Sequence, residues 1–176
     1  MEDPVNPLGI SVEPLLTRPQ TVCMVALGHS MNDFVREAMS NHRFQNPYDE
    51  IWTLNRGIAS VKADKIFAMD DLRYLALMPG NGAYGAKLQQ TKTPIITSTV
   101  YPEFPSSCAY PYAEVKEFIG DDVFNVNTVA YAVAYAMYTG VKEIAIYGAD
   151  FFYPNGNTAE AGGQAVAFLL GLCRYF

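Results

Sequence analysis

The chain has 176 residues, of which half are hydrophobic and 17% are charged, so it encodes one folded domain with a buried core and is not a disordered chain. The formal net charge of −6, without any basic run, excludes a protein that wraps duplex nucleic acid, because Lys and Arg must neutralise phosphates there. Binding of a single nucleotide stays open, since backbone N–H groups at a helix start bind phosphate.

The first 20 residues are rich in proline and are predicted to form an extended arm, because proline blocks helix formation. The rest of the chain, 21–176, is predicted to be one domain. No apolar run is long enough to span a membrane, and the N-terminus does not have the pattern of a signal peptide. The three cysteines have no metal-binding spacing, which favours reduced thiols in a cytoplasmic protein.

Short apolar runs alternate with segments of helical spacing from residue 21 onward. The predicted strands are 21–27, 50–55, 65–70, 93–99 and 142–148. The predicted helices are 31–39, 70–78, 129–139, which Asn127-Thr128 opens and Gly140 ends, and 159–176. Because the first strand is continuously apolar, both of its faces must be covered, as in a parallel sheet between helices. The sequence therefore predicts an α/β fold, a three-layer sandwich with a mainly parallel sheet.

Residues 100–118 combine prolines with aromatic residues and show no clear period. They are predicted to form a long surface loop, which either closes over a ligand as a lid or merely connects two elements.

Polar or flexible residues follow four of the predicted strands. They are Gly28-His29-Ser30, Asn55, Asp70 and Asp150. Ligands of open α/β sheets bind beyond the carboxyl ends of the strands, so we expect these residues to share one edge and to form a site. His29 would donate to a phosphate or remain an ordinary loop residue. Asp70 and Asp71 would bind Mg²⁺ together, or Asp71 would only be an acid at a helix start, favoured by the helix dipole, while Asp70 would contact a ligand directly.

One segment carries a family resemblance. The run "NTVAYAVAYAMYTGVKEIAIYGADFFY", 127–153, resembles the central segment of the bacterial sialyltransferases of glycosyltransferase family 42. "VALGHSMNDF" and "EIWTLNRG" look like that family's nucleotide loop and its strand that ends in a ligand-binding Asn. The archaeal 6-hydroxymethylpterin diphosphokinase-like family and uncharacterised phage proteins are similar too. The resemblance implies a Rossmann-like fold and a glycosyltransferase that takes a nucleotide-sugar donor and needs no metal or other cofactor. The similarity to phage proteins implies that the protein is phage-encoded. Mg²⁺ enters only if the chemistry is that of a diphosphokinase.

The resemblance also implies roles for individual residues. Gly28 and Ser30 would face a phosphate, and Asn55 would hydrogen-bond the nucleotide. Asn127 and Thr128 would lie near the donor phosphate or sugar. Asp150 would hold the ribose or order the loop, and Phe152 stands where the family has a Tyr that supports the leaving phosphate. His29, which replaces the family's usual Pro, and Asp70 are further candidates for nucleotide contacts because of their places at strand ends.

The chain departs from the family at the catalytic base. The sialyltransferases use a His beyond this strand, whereas His29 and His42 both lie upstream of it. Glu160 and Tyr153 are the candidates for catalysis here. A non-catalytic nucleotide-binding protein is the alternative that the missing His favours.

The last predicted helix carries apolar residues at helical spacing, namely Phe168, Leu169, Leu172 and Phe176. We expect a homo-oligomer that uses this helix or the Tyr-rich helix 129–139, since large exposed apolar patches are rare in monomers.

Overall fold

The structure is a computed structural model that describes residues 18–40, 46–151 and 156–173. Most of the predicted arm, as well as Phe152, Tyr153 and Phe176, therefore lies outside the described residues. Among the residues that are described, no helix is both long and apolar enough to cross a bilayer.

Six parallel strands form one open sheet with the order β5-β4-β3-β2-β1-β6. The strands are β1 (Thr21–Val25), β2 (Glu50–Leu54), β3 (Lys65–Phe67), β4 (Ile95–Thr97), β5 (Ser107–Ala109) and β6 (Glu143–Tyr147). The helices are α1 (Met31–Ser40), α2 (Leu72–Leu77), α3 (Gly82–Gln90), α4 (Tyr112–Ile119), α5 (Thr128–Thr139) and α6 (Gly156–Leu172), with a 3-10 helix at Asn55–Ala59. The predicted parallel α/β sandwich is confirmed.

Each face of the sheet has its own apolar core. Helices α4, α5 and α6 cover the face that bears Met24, Trp52 and Phe67. The 3-10 helix, α2 and α3 cover the other face, around Ile66 and Ile95. Helix α5 has buried residues on most sides, as its lack of charge predicts, and ends at Gly140 in the left-handed conformation. Of the tyrosines of α5, Tyr135 is 2% exposed and Tyr138 is 39% exposed.

The prediction of an irregular surface loop at residues 100–118 is wrong. The segment contains β5 and most of α4, and Tyr101, Phe104 and Tyr110 are buried in the two cores. The aromatic residues are therefore core residues, and the segment is not a lid. The sequence concealed this because β5 has only three residues and prolines flank it on both sides.

The amino ends of β2 and β3 contain a buried ion pair. The Lys65 ammonium contacts the carboxylate of Glu50, which also accepts a hydrogen bond from Trp52 Nε1 at 2.5 Å. The same ammonium lies 5.5 Å from the centre of the Trp52 ring. Since buried charges must be paired, this cluster holds the starts of two central strands in one arrangement.

Candidate functional site

The order of the strands creates a switch point between β1 and β6. From β1 the chain builds the sheet outward through β2 to β5, and it then returns to place β6 on the other side of β1. In open α/β sheets the crevice beyond the carboxyl ends of such strands is where ligands bind. The loops that follow β1 and β6 meet at this point.

Asp150 ties these two loops together. Its carboxylate accepts hydrogen bonds from the Ser30 backbone N–H, at 2.8 Å, and from the Ser30 hydroxyl. The same hydroxyl oxygen accepts a bond from the Gly148 N–H at 2.9 Å, and the Gly28 N–H donates to the Gly148 carbonyl at 2.7 Å. The hydrogen bond from the Ser30 hydroxyl is the main cause that lowers the pKa of Asp150. Asp150 therefore orders the loop, which is one of the two roles expected for it.

These contacts change the expected role of the first loop. The N–H groups of Gly28 and Ser30 were expected to face a phosphate, but the structure gives both of them internal partners. The Asp150 carboxylate occupies the position at the start of α1 where an anion would bind. His29 is exposed and does not line the cleft described next.

A cleft of about 480 Å³ opens beside the contact between Asp150 and the loop at Gly28–Ser30. Five of the predicted site residues line it, namely Gly28, Asn55, Asp70, Asn127 and Thr128. Its walls are apolar, with Leu27 at 49% and Val126 at 50% exposure, and Phe151 completes them. An apolar cleft with a few convergent polar groups is the usual form of a small-molecule site.

Two residues that line this cleft each have one buried amide atom without a partner. Asn55 Oδ1 and Asn127 Nδ2 are both buried atoms without a hydrogen bond within the described part of the chain. Since a buried polar atom without a partner costs free energy, such atoms call for a ligand or a water molecule. One is an acceptor and the other a donor, so together they suit a ligand that offers both kinds of group.

The backbone is unusual at two points of the cleft. Asn55 has φ 49° and Phe151 has φ 50°, a left-handed conformation that a bulky aromatic residue rarely adopts. Such conformations persist where the surrounding structure imposes them, and they cluster at binding sites. Phe151 was not among the residues expected from sequence, because its neighbour Phe152 was the position matched to the family motif.

Helix α5 directs its amino end at the cleft. Asn127 caps the helix, since its Oδ1 accepts from the Ala130 N–H at 2.9 Å, and the first turn contains no acidic residue. The positive end of the helix dipole is therefore not neutralised from within the helix. The start of α1 differs, because it faces Asp150 and has Asp33 in its first turn.

Helix α6 approaches two residues of the cleft closely at Gly162. A Cβ atom on Gly162 would lie 2.8 Å from Asn127 Nδ2 and 3.3 Å from Phe151 Cδ1. The absence of a side chain on Gly162 therefore allows α6 to approach these two residues. Gly162 was not among the residues expected from sequence, although a glycine inside an otherwise apolar helix can indicate such a close contact.

The candidate catalytic and metal-binding residues are not gathered here. Glu160 lies on the exposed side of α6, where it accepts from Gln164 Nε2 at 3.1 Å, and it does not line the cleft. Asp71 caps α2 by accepting from the Arg73 and Tyr74 N–H groups, which leaves Asp70 as the carboxylate that lines the cleft. Within residues 18–40, 46–151 and 156–173, no group of three or more His, Cys, Asp or Glu side chains is placed to hold a metal ion.

By its fold the protein is a Rossmann-like α/β protein. Its cleft lies at the switch point of the sheet, where proteins of this architecture bind ligands. No protein-family model matches the chain, and no curated protein matches it. Among solved structures it is similar to the sialyltransferase CstII from Campylobacter jejuni, determined in complex with a substrate analogue, cytidine-5′-monophosphate. The TM-score is 0.52 and the sequence identity 18%, over 88% of this chain and 76% of that chain. The expected similarity to sialyltransferases is thus confirmed at the level of the fold.

Proposed function

We propose that the protein binds a nucleotide in the cleft beside Asn55 and Asn127 and acts as a sialyltransferase-like glycosyltransferase that uses a nucleotide-sugar donor. The observation that carries the proposal is the pair of unpartnered amide atoms, one acceptor and one donor, in a cleft at the switch point. The similarity in fold to a sialyltransferase solved with a cytidine nucleotide supports the choice of ligand class.

The cleft suits a nucleotide in a particular orientation. Its described lining contains no Lys, Arg or His, so a phosphate group would depend on backbone N–H groups. The start of α5 offers such groups, whereas the start of α1 is occupied by Asp150. The apolar walls at Leu27 and Val126 would contact the base or ribose.

Transfer requires a group that accepts the proton of the acceptor hydroxyl. In the proposed reaction the acceptor oxygen bonds to the anomeric carbon, the bond from that carbon to the phosphate oxygen breaks, and the proton passes to a carboxylate. Because Asp70 lines the cleft, we assign this role to it, whereas Glu160 is exposed and does not line the cleft. Tyr153, which lies outside the described residues, remains a candidate from the sequence.

Binding is tested by thermal shift with CMP, UDP, GDP, ATP and their sugar derivatives, with and without Mg²⁺. A ligand at ~100 times its dissociation constant adds roughly 2.7 kcal/mol of stability. The variants Asn127→Asp and Asn127→Ser both keep an oxygen that caps α5 but remove the Nδ2 donor, so both should lose the shift without losing the fold. Asn46→Asp adds the same charge before the amino end of β2 and serves as the control. If no nucleotide shifts the wild type, the proposal fails.

Catalysis is tested separately with the sugar nucleotide that binds. Asp70→Asn should keep binding and lower turnover by about 10²-fold or more, while Asp71→Asn, which retains the helix cap, should not affect turnover. Glu160→Gln should also leave turnover unchanged, because its side chain lies outside the cleft. If Asp70→Asn is fully active, the proposed base is wrong.

A non-catalytic nucleotide-binding protein is the second candidate, and one observation favours it. Asp70 is the one carboxylate among the described residues that line the cleft, and none of those residues is a His. Tight binding of a nucleotide without transfer or hydrolysis of any sugar nucleotide would establish this alternative. Dependence of binding or turnover on Mg²⁺ would instead favour diphosphokinase-like chemistry at Asp70.

A further inference from the structure

The two edges of the sheet are protected to very different degrees. Strand β5 forms one edge, has three residues and lies between Pro105 and Pro111. Short strands and prolines are common devices that prevent pairing at an edge. Strand β6 forms the other edge, has five residues, and has neither proline nor internal charge between Ile144 and Tyr147. No described strand pairs with its outer side.

The hydrogen bonds of β6 reveal which of its backbone groups point outward. The Glu143 N–H donates to the Gln20 carbonyl at 3.0 Å, and the Tyr147 carbonyl accepts from the Ala26 N–H at 2.8 Å. Because alternate residues of a parallel ladder face the same neighbour, Glu143, Ala145 and Tyr147 all face β1. The N–H and C=O groups of Ile144 and Ile146 therefore face away from the sheet.

These outward groups are complementary to a second copy of the same strand. When two β6 strands run antiparallel about an axis through Ala145, Ile144 of one copy stands opposite Ile146 of the other. Each such pair exchanges two N–H···O=C bonds, so every outward backbone group of the two isoleucines is satisfied. The small side chain of Ala145 meets its own copy at the axis, where strands in this register approach most closely.

The charges on the strand fit the same register. Glu143 of one copy would stand opposite Tyr147 of the other, and Lys142 opposite Gly148. No like charges are therefore placed directly opposite each other, which would be unfavourable. Ile144 and Ile146 pack against the core on the face covered by α6, so the pairing also brings apolar side chains together beneath the helices.

Helix α6 adds an uncharged surface on that same face. From Ala161 to Leu172 the helix has no acidic or basic residue, yet Phe168 is 50% and Leu170 39% exposed. A helix that is apolar on all sides is normally buried on all sides. Of the residues expected to form an interface, Phe168 is exposed, whereas Leu169 is fully buried.

We propose that the open edge of β6, together with the exposed side of α6, is the interface of a two-fold symmetric homodimer with one continuous sheet. A two-fold axis perpendicular to the sheet keeps both α6 helices on the same face, where they pack against each other. Strand β6 is about 17 Å long and helix α6 about 25 Å long. Together, over the depth of the sheet and helix layers, they would bury roughly 500 Å² of surface on each copy. About 1,000 Å² in total is close to the lower limit for a specific interface, so the dimer should dissociate on dilution.

The first test follows the molar mass by light scattering over a dilution series. Ala145→Lys places two like charges at the axis, and Leu170→Glu places a charge on the exposed side of α6, so each should weaken dimerisation by about tenfold or more. Ala109→Lys makes the same change on the exposed part of the opposite edge strand and should leave the dimer intact. A wild-type protein that is monomeric throughout the series overturns the proposal.

The second test is amide exchange by NMR on the wild type, which does not depend on any variant folding. In the dimer the amides of Ile144 and Ile146 should be protected, and dilution should release them. The amides of Glu143, Ala145 and Tyr147 should stay protected, since they face β1. A dimer in which Ile144 and Ile146 exchange freely uses another surface, and a monomer in which they are protected covers this edge with its own chain. Either result rejects the proposed interface.

Discussion

Gly28 is a position where a single added methyl group should destabilise the fold. A Cβ atom built on Gly28 would lie 2.4 Å from Asp150 Oδ2 and 2.5 Å from the Gly148 carbonyl oxygen. Both distances are far below normal contact, and one of the two atoms belongs to the backbone that bonds the Gly28 N–H. The loops after β1 and β6 must therefore move apart, which breaks the contacts of Asp150 with Ser30.

The cost of Gly28→Ala follows from this geometry. Forcing an additional carbon into a closely packed site costs about 1–3 kcal/mol, and the weakened hydrogen bonds add to it. We expect a loss of about 2–3 kcal/mol, which for a protein of this size corresponds to a decrease in Tm of roughly 4–12 °C. The Gly28 φ lies outside the left-handed region, so the cost is steric.

The assay compares thermal and urea unfolding of Gly28→Ala with those of Gly82→Ala. A Cβ on Gly82 meets no atom within 4 Å, so that variant should be neutral or more stable by about 0.4–1 kcal/mol. Because Gly28 also lines the cleft, its variant should bind nucleotide more weakly under conditions in which it is folded. Equal stability of the two variants would refute the close contact between the loops.

Three further outcomes are expected. Glu50→Gln should destabilise the fold by about 3–5 kcal/mol, because it leaves the buried ammonium of Lys65 without its carboxylate, and urea unfolding measures this loss. The hydrogen bonds from Ser30 lower the pKa of Asp150, so the ionised carboxylate stabilises the folded state. This stabilisation is complete above the unfolded pKa of about 4 and is lost as the pH falls through the folded pKa. Ser30→Ala should therefore be less stable than the wild type near neutral pH and approach its stability in acid, which unfolding measured over a pH series checks. Asn55→Ala should lose both ligand affinity and about 1 kcal/mol of stability, whereas Asn55→Gly should lose affinity with little loss of stability, because glycine tolerates the left-handed φ. Calorimetric titration measures the affinity and thermal unfolding measures the stability. Equal affinity in the wild type and Asn55→Gly would exclude a role for the Asn55 amide in binding.

The sequence by itself determined the class of the fold and most of its strands. The run at 21–27 is continuously apolar, and such a run is stable only where both faces of a strand are covered, so it predicted a central parallel strand. Asn127 and Gly140 marked the two ends of α5 through the capping chemistry of a helix. Strand β5 was not predicted, because a three-residue strand between prolines has too short a pattern to be distinguished from a loop.

Only the tertiary structure decided which of the polar strand ends form the site. Asn55 and Asn127 are far apart in the chain and lie at one cleft because β6 returns to the far side of β1, an order that no local pattern encodes. The same return places the Asp150 carboxylate in hydrogen-bonding contact with Ser30. Asp150, which was expected to contact a ligand or to order the loop, therefore holds the loops after β1 and β6 together. It also makes β6 an edge strand of the described part of the sheet. Hydrogen bonds between strands depend on which strands become neighbours, whereas the side-chain pattern of a strand indicates only whether its two faces are covered.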